Sequence, residues 1–494
     1  MMRILCTLLI LLLVPASALA NSWGLKGDLL TAVLADDRWD DYTSASDQVG
    51  NVCVMTSRYH NALMLVTGKN APLQVYTRAV WQPDDNRGYA NLEKLGDGFI
   101  LTYKKNNSPT ERYVFDRTQD GYVLTKATIG DFTLTLTDPD GRYLAIQSGE
   151  SAQYSVWGGL TLERFSIRLL PRSIAEVRRL NEMRAALDSG SDVLSWYEDA
   201  MQPGRLYTPG KKGTVPVYGA PAVKAWRAGS GKASVSTNGD IYVLREWVND
   251  KGETWLHIRY EVSQRTHRFG FIRASELPGY KVVGSDAYPK IAVPVRVVEM
   301  TSLTDDPLLS QYGQHLLLPG TELTAIGTFG DEYALVQTKI SGKEAWLFAP
   351  LKHLEPVPGE VLPEVMAQLE GCWFYWAGGS MAGDYLRFCA DGTFYNPAWP
   401  EECGAFTVTA YDTIQGKYWD NPPYEITLRY SDGRVNVRGL SFSQVEYDWY
   451  DESTDAVQWE LRDSFGLTNW EGSGGYIRIN EEDVPRWESA DGNG

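Results

Sequence analysis

Val215-Pro216-Val217-Tyr218-Gly219-Ala220-Pro221, then Gly239-Asp240-Ile241-Tyr242-Val243-Leu244, Trp255-Leu256-His257-Ile258 and Gly270-Phe271-Ile272, make up the stretch from Val215 to Leu277 on which the fold turns. Short apolar runs alternate with polar residues, and Gly, Pro and Asp punctuate them, which is the pattern of antiparallel strands joined by tight turns. A looser echo runs from Ile291 to Leu354. It carries Asp306-Pro307, Leu318-Pro319-Gly320-Thr321, Ala325-Ile326-Gly327, Tyr333-Ala334-Leu335-Val336 and Ala345-Trp346-Leu347-Phe348 in the same order of strands and turns.

This order resembles the bacterial SH3-like barrel, a small module with which secreted proteins hold wall or protein ligands. The second copy departs from the first where Trp346 replaces the glycine-aromatic start of the last strand. The resemblance implies two tandem SH3-like domains, at 205–280 and 290–355. It also implies ligands gripped between loops and their aromatic rings. Tyr218 and Trp226 flank the loop after the first strand and Trp247 precedes an Asp-Lys-Gly turn, so these three rings are the ligand-binding candidates. Trp255 and Phe271 match positions that fill the barrel core.

The N-terminus reads as a secretory signal over residues 1–20. Arg3 supplies the positive region, Leu5 to Val14 the apolar core, and Ala18-Leu19-Ala20 a small-x-small cleavage site. The apolar core is shorter than the roughly 20 residues a membrane span needs, and no cysteine follows the cleavage point, so no membrane anchor is expected. A secreted, extracellular chain is the expectation. Loss of Arg3 leaves 45 of the 46 basic residues against 63 acidic ones, a net charge of −18 in place of −17. Such a field repels polyanions, so nucleic acid is not an expected partner.

Residues 21–170 read as an N-terminal β domain, with a short helix at Lys26 to Leu34 and strands at Val52 to Ser57, Ala62 to Thr67, Leu73 to Val80, Phe99 to Tyr103, Tyr113 to Asp116, Tyr122 to Ile129 and Phe132 to Thr137. Asp-Gly punctuation at intervals near ten residues favours an antiparallel sheet over βαβ units. A helix from Pro171 to Asp188 follows, with Ile174, Val177, Leu180, Met183 and Leu187 on one face, in a connecting segment at 171–204. It is expected to dock on the first domain or at the junction. The last domain, 364–488, opens with a glycine-aromatic strand, Gly371-Cys372-Trp373-Phe374-Tyr375, and a Phe-x-x-Asp-Gly-Thr-Phe hairpin, and it resembles small lipocalin-like β-barrels of secreted bacterial proteins. Eight of the seventeen tryptophans lie there, and loop-placed Trp399 and Trp419, beside prolines, could stand at a barrel mouth.

Residues able to carry chemistry are sparse in pattern. The five histidines form no HExxH and no His-x-His pair, and no metal site or cofactor is expected. His257 is expected on the surface of its barrel, facing away from an inward Trp255. There is no Gly-x-Ser-x-Gly, P-loop or dinucleotide glycine pattern. Cys53, with His60 seven residues on, is weighed as a nucleophile and read instead as a small buried hydrophobe. Acidic pairs such as Asp36/Asp37 and Glu401/Glu402 read as solvated turn residues, since adjacency does not give the 5–10 Å separation, roughly, that a glycosidase needs. Export permits disulfides, and Cys389 with Cys403 would be bridged if their strands were antiparallel neighbours, with Cys372 as the alternative partner of either.

The expectation is therefore a mainly β, multidomain chain of antiparallel domains: two SH3-like barrels, a C-terminal lipocalin-like barrel and one connecting α-helix. The leading function is non-catalytic binding of cell-wall peptidoglycan or an extracellular protein through the tandem modules. Two alternatives stand beside it: a small-molecule or lipid carrier using the last barrel, and a wall hydrolase whose catalytic domain is the N-terminal segment.

Overall fold

A computed structural model of the chain describes residues 24–35, 42–45, 48–57, 61–65, 73–80, 89–104, 108–119, 121–136, 143–146, 153–155, 160–162, 165–168, 170–188, 205–207, 213–237, 241–263, 266–284, 286–287, 292–307, 315–329, 332–357, 359–375, 385–400, 402–411, 418, 420–451, 453–469 and 472–480. Residues 1–20, where a signal segment is expected, and His60 and Trp419 lie outside the described residues. The chain is mainly β and divides into two compact units, one built on the first 174 residues and the other on most of the remainder.

In the first unit, helix α1 (Gly27–Leu34) buries Leu29 and Val33 completely. Strands β1 (Tyr42–Ala45), β2 (Val52–Ser57), β3 (Asn61–Leu65) and β4 (Gln74–Tyr76) pair in chain order as one sheet. The strand expected to run on to Val80 stops at Tyr76, and Thr77–Val80 is a helical turn. Ala79 and Val80 are both fully buried there, which a strand exposing alternate faces would not allow beside a single core. A seven-stranded meander follows: β5 (Tyr89–Leu95), β6 (Gly98–Lys104), β7 (Glu111–Thr118), β8 (Gly121–Ile129), β9 (Phe132–Leu136), β10 (Tyr143–Ile146) and β11 (Gln153–Ser155). Phe99, Leu101 and Tyr103 alternate inward on β6, opposite Tyr113 and Phe115 on β7, and Phe165 sets its edge against both of the latter. Glu111 is the buried carboxylate of this core. It pairs with Arg172 and accepts from Tyr113 Oη at 2.5 Å, so its charge is matched rather than free.

The second unit holds two small modules of one plan, each a twisted sheet with a two-stranded hairpin. The first has β12 (Arg205–Tyr207), β13 (Thr214–Pro216), β14 (Ser234–Ser236), β15 (Ile241–Val248), β16 (Thr254–Ser263), β17 (Thr266–Arg273) and β18 (Asp286–Ala287), with sheet order β12-β15-β16-β17, β18 beside β15, and the hairpin β13-β14. The second has β19 (Val293–Val297), β20 (Thr301–Leu303), β21 (His315–Leu317), β22 (Glu322–Phe329), β23 (Tyr333–Ile340), β24 (Lys343–Pro350) and β25 (Leu354–Pro356), with sheet order β24-β23-β22-β19-β25 and the hairpin β20-β21. Each carries a β-bulge in its first long strand, between Val243 and Arg245 and between Ala325 and Gly327.

Helix α2 (Ile174–Asp188) lies, past its first residue, within this second unit. Arg179 Nε donates to the Lys352 carbonyl at 2.8 Å, Asn181 Nδ2 to the Gly433 carbonyl at 2.8 Å, and Glu182 meets Arg429 at 3.2 Å. The helix thus braces the second module against the C-terminal domain, and it buries Val177, Leu180 and Met183.

That domain begins with helix α3 (Pro363–Leu369) and closes eight strands in chain order: β26 (Gly371–Tyr375), β27 (Tyr385–Phe388), β28 (Thr393–Tyr395), β29 (Cys403–Ala410), β30 (Tyr424–Tyr430), β31 (Val435–Asp451), β32 (Ala456–Asn469) and β33 (Gly472–Ile479). Its interior is filled. Trp373, Phe388, Phe394, Phe406, Ile426 and Phe465 pack with Val365 and Leu369 of α3. Arg478 closes that end by donating to the carbonyls of Glu370 at 2.9 Å and Gln368 at 2.8 Å, with its guanidinium 4.5 Å from the Trp373 ring centre.

The bridge expected between Cys389 and Cys403 is not formed, and Cys53, Cys372, Cys389 and Cys403 are all free. Strand β28 lies between the two, since Tyr395 pairs with Arg387 on one side and with Cys403 on the other. Two interstrand spacings are about 9–10 Å, beyond the roughly 7 Å that a disulfide can span.

Candidate functional site

The two modules meet through an aromatic layer. Beyond the bulge at Val243/Arg245, β15 turns Trp247 away from the module's own core of Val215, Ile241, Leu256, Ile258 and Ile272. Trp247 then lies 5.3 Å from Trp346 and 5.8 Å from Phe271 between ring centres. Phe269 meets Phe329 and Phe348 edge-on, both at 5.6 Å. Trp247 is 5% exposed, so its ring serves this interface and is removed from the candidate ligand contacts. Trp255 and Phe271 are fully buried, as core positions should be, though on this second face of the sheet.

His257 belongs to the same layer. Residues two apart on a strand share a face, so His257 points with Trp255 rather than away from it, and it is buried instead of on the surface. Its ring stacks on Phe271 at 4.4 Å and 7°. Loss of solvent takes its pKa from the ordinary 6.5 down to about 3, so it is a neutral imidazole at any physiological pH.

Backbone hydrogen bonds complete the junction. The free edge of β24 is covered by the first module's loop: Trp226 N donates to the Glu344 carbonyl at 2.8 Å, and Trp346 N to the Gly219 carbonyl at 2.7 Å. Gly219 is required here, since a Cβ on it would come within 2.8 Å of Trp226 Cε3. Tyr218 is anchored by its reciprocal backbone pair with Phe271, at 2.8 and 2.7 Å. The irregular segment from Ala222 to Ala233 therefore has a structural purpose, which is to hold one module on the other.

Beside this seam lies a groove of about 1210 Å³, lined by the first module's loop and by the β23–β24 hairpin. Tyr218 and Trp226, two of the predicted ligand rings, stand in it together and are half-buried. The loop contributes Lys224 and Arg227, and the hairpin contributes Lys339, Lys343 and Glu344. Arg227 is held by the carbonyls of Val217 at 3.2 Å and Ala233 at 2.6 Å, with its guanidinium 5.3 Å from the Tyr218 ring centre. Across the groove His315 sets its ring edge-on to Trp226 at 5.2 Å. Burial lowers the His315 pKa, and its Nε2 is without a hydrogen-bond partner. Ser341-Gly342, both at positive φ (51° and 75°), form the two-residue turn that projects Lys339 and Lys343.

The other predicted residues are elsewhere. Trp399 is 41% exposed in the loop after β28 of the C-terminal barrel, and Trp419 is outside the described residues. Cys53 is fully buried on β2, and burial pushes its thiol up to about 12, far from the range of a reactive thiolate. A cluster unforeseen in the sequence, Glu176, Glu299 and His353, places ligand atoms within 4.8 Å of one another. Lys352 Nζ lies 3.2 Å from Glu176, and Arg179 pairs with Glu299, so both carboxylates already have cations and the set reads as an ion-pair network between α2 and the second module. Lys339, Lys343 and His315 were likewise not singled out. They lie about a hundred residues from Tyr218, and only the module contact brings them beside it.

No family model matches the chain, and no curated protein matches it. Among solved structures it is similar to NlpC2 from Trichomonas vaginalis, with 12% identity over 57% of this chain and 94% of that one at a TM-score of 0.15. NlpC1 from the same organism gives 13% identity, 56% and 91% coverage and a TM-score of 0.12. The glycoside hydrolase family 43 YxiA protein from Bacillus licheniformis gives 10% identity, 88% and 97% coverage and a TM-score of 0.12. Similarity at these scores carries no argument about this chain's fold or activity.

Proposed function

We propose that the chain is a secreted, non-catalytic binding protein that engages cell-wall or surface ligands at the junction of two SH3-like modules. One observation carries the reading: the groove of about 1210 Å³ holds Tyr218 and Trp226 side by side with free cationic groups. Concave sites lined by rings and a few placed polar groups are where ligands bind. The packing of the modules changes the expected mode of action. Two separate barrels on linkers would add modest sites through effective concentration. Modules joined by an aromatic layer and an edge-to-loop backbone ladder instead make one composite site. The filled interior of the C-terminal barrel counts against the carrier alternative, and the buried, unreactive Cys53 against a cysteine hydrolase in the first unit.

The test is co-sedimentation of the mature protein with insoluble peptidoglycan, set against an acidic control protein. Retention that drops in a Tyr218→Ala/Trp226→Ala variant of unchanged circular dichroism supports the groove. Retention no greater than the control's overturns the wall reading.

A further inference from the structure

The groove is a positive site on a chain of formal net charge −17. Lys224 and Arg227 face it from one module, and Lys339 and Lys343 from the other. Among the described residues none of the four has an ion-pair partner, whereas Arg268 pairs with Asp305 and Arg296 with Glu355. Glu344 is the one acidic residue of the lining, and its Oε1 accepts from Trp346 Nε1 at 2.9 Å. Four cations gathered against a single carboxylate repel one another on balance, and a bound anion relieves that repulsion. Arg227 is fixed in advance by two carbonyls, which lowers the ordering cost of binding.

The volume exceeds what a single anion needs and suits several units of a chain. The rings of Tyr218 and Trp226 offer flat apolar surface beside the charges, and such surface suits the faces of sugar rings. An extended peptide would instead seek a free sheet edge, and the β24 edge at this groove is already taken by Gly219 and Trp226.

We propose that the groove takes an acidic polysaccharide, its sugar rings against Tyr218 and Trp226 and its carboxylates paired with Lys224, Arg227, Lys339 and Lys343. This rests on the groove being the binding site of a non-catalytic protein. Titration calorimetry of the full chain with an oligogalacturonate, a cello-oligosaccharide of equal length and an oligoglutamate tests it at low and high salt. The uronate binds, weakens as salt screens the charges, and exceeds both other probes. Lys339→Glu/Lys343→Glu, two exposed positions, weakens it by about tenfold or more at unchanged melting temperature. Equal binding of the neutral sugar, tighter binding of oligoglutamate, or indifference to the charge reversal overturns the proposal. If wall material is still retained through Tyr218 and Trp226 while the uronate fails, the acidic-sugar assignment alone falls. If neither is bound, the binding function falls with it.

Discussion

Replacing His257 by Leu should change how stability responds to acid. The imidazole is enclosed by Phe271, Trp247, Phe269 and Phe348, and burial takes its pKa to about 3. The unfolded chain binds a proton at His257 near its ordinary 6.5, while the folded chain refuses it until about 3. The contribution is therefore complete above pH 6.5 and declines as pH falls through that window, at about 1.4 kcal/mol per pH unit. Asp305 works in the opposite sense. Burial raises its carboxyl to about 6 despite Arg268 at 3.5 Å, so the folded chain keeps a proton that the unfolded chain releases between pH 6 and 3.8. The two slopes oppose each other in the wild type over that range, and His257→Leu leaves the Asp305 slope uncovered. Urea unfolding followed by peptide-resolved hydrogen exchange over 254–273 would compare the two proteins at several pH values. From pH 6.5 to 4.5 the variant should gain about 2–3 kcal/mol relative to wild type, whatever constant offset the substitution adds. A stability difference that stays flat across this range would refute the burial argument for His257.

Other substitutions probe the scaffold. Arg478→Ala removes two hydrogen bonds to the C-terminal carbonyls of α3 and the contact over Trp373; a loss of about 2–3 kcal/mol is expected in denaturant melts of the C-terminal barrel. Gly98→Ala places a methyl 1.9 Å from the Phe115 carbonyl oxygen, which the β6–β7 pairing cannot absorb. Its expected outcome is loss of the first unit's protease resistance, while the second unit's thermal transition persists. Thiol titration of the native protein should leave Cys53 unmodified, and Cys53, Cys372, Cys389 and Cys403 should all react after denaturation; two fewer would mean a disulfide.

The fold class was legible because strand period and turn chemistry are local. Val52–Ser57 falls where alternation places it, and Gly121–Ile129 lies within one residue of its predicted start. The long hairpin of Val435–Asp451 and Ala456–Asn469 carries no such local signal in its outer part, where Val457, Trp459 and Leu461 are exposed. Facing was harder. The bulge at Val243/Arg245 reverses which side of β15 is inward, so Trp247 looked like a loop-side ring and is an interface ring. The groove itself was half visible. Tyr218 and Trp226 share a loop and a family resemblance pointed to them, whereas Lys339 and Lys343 join them only through packing between modules. No one-dimensional pattern encodes that meeting, although Trp346, the position at which the second copy departs from the first, turned out to be its centre.

A hydrogen-exchange footprint of the full chain with solubilised wall fragments is the most direct measurement of where ligand is held. Slowed exchange confined to peptides spanning 218–231 and 339–344, with the 391–400 loop around Trp399 unchanged, is the predicted result. Protection centred on the Trp399 loop, or no protection in either groove wall while the fragments demonstrably bind, would contradict the composite site.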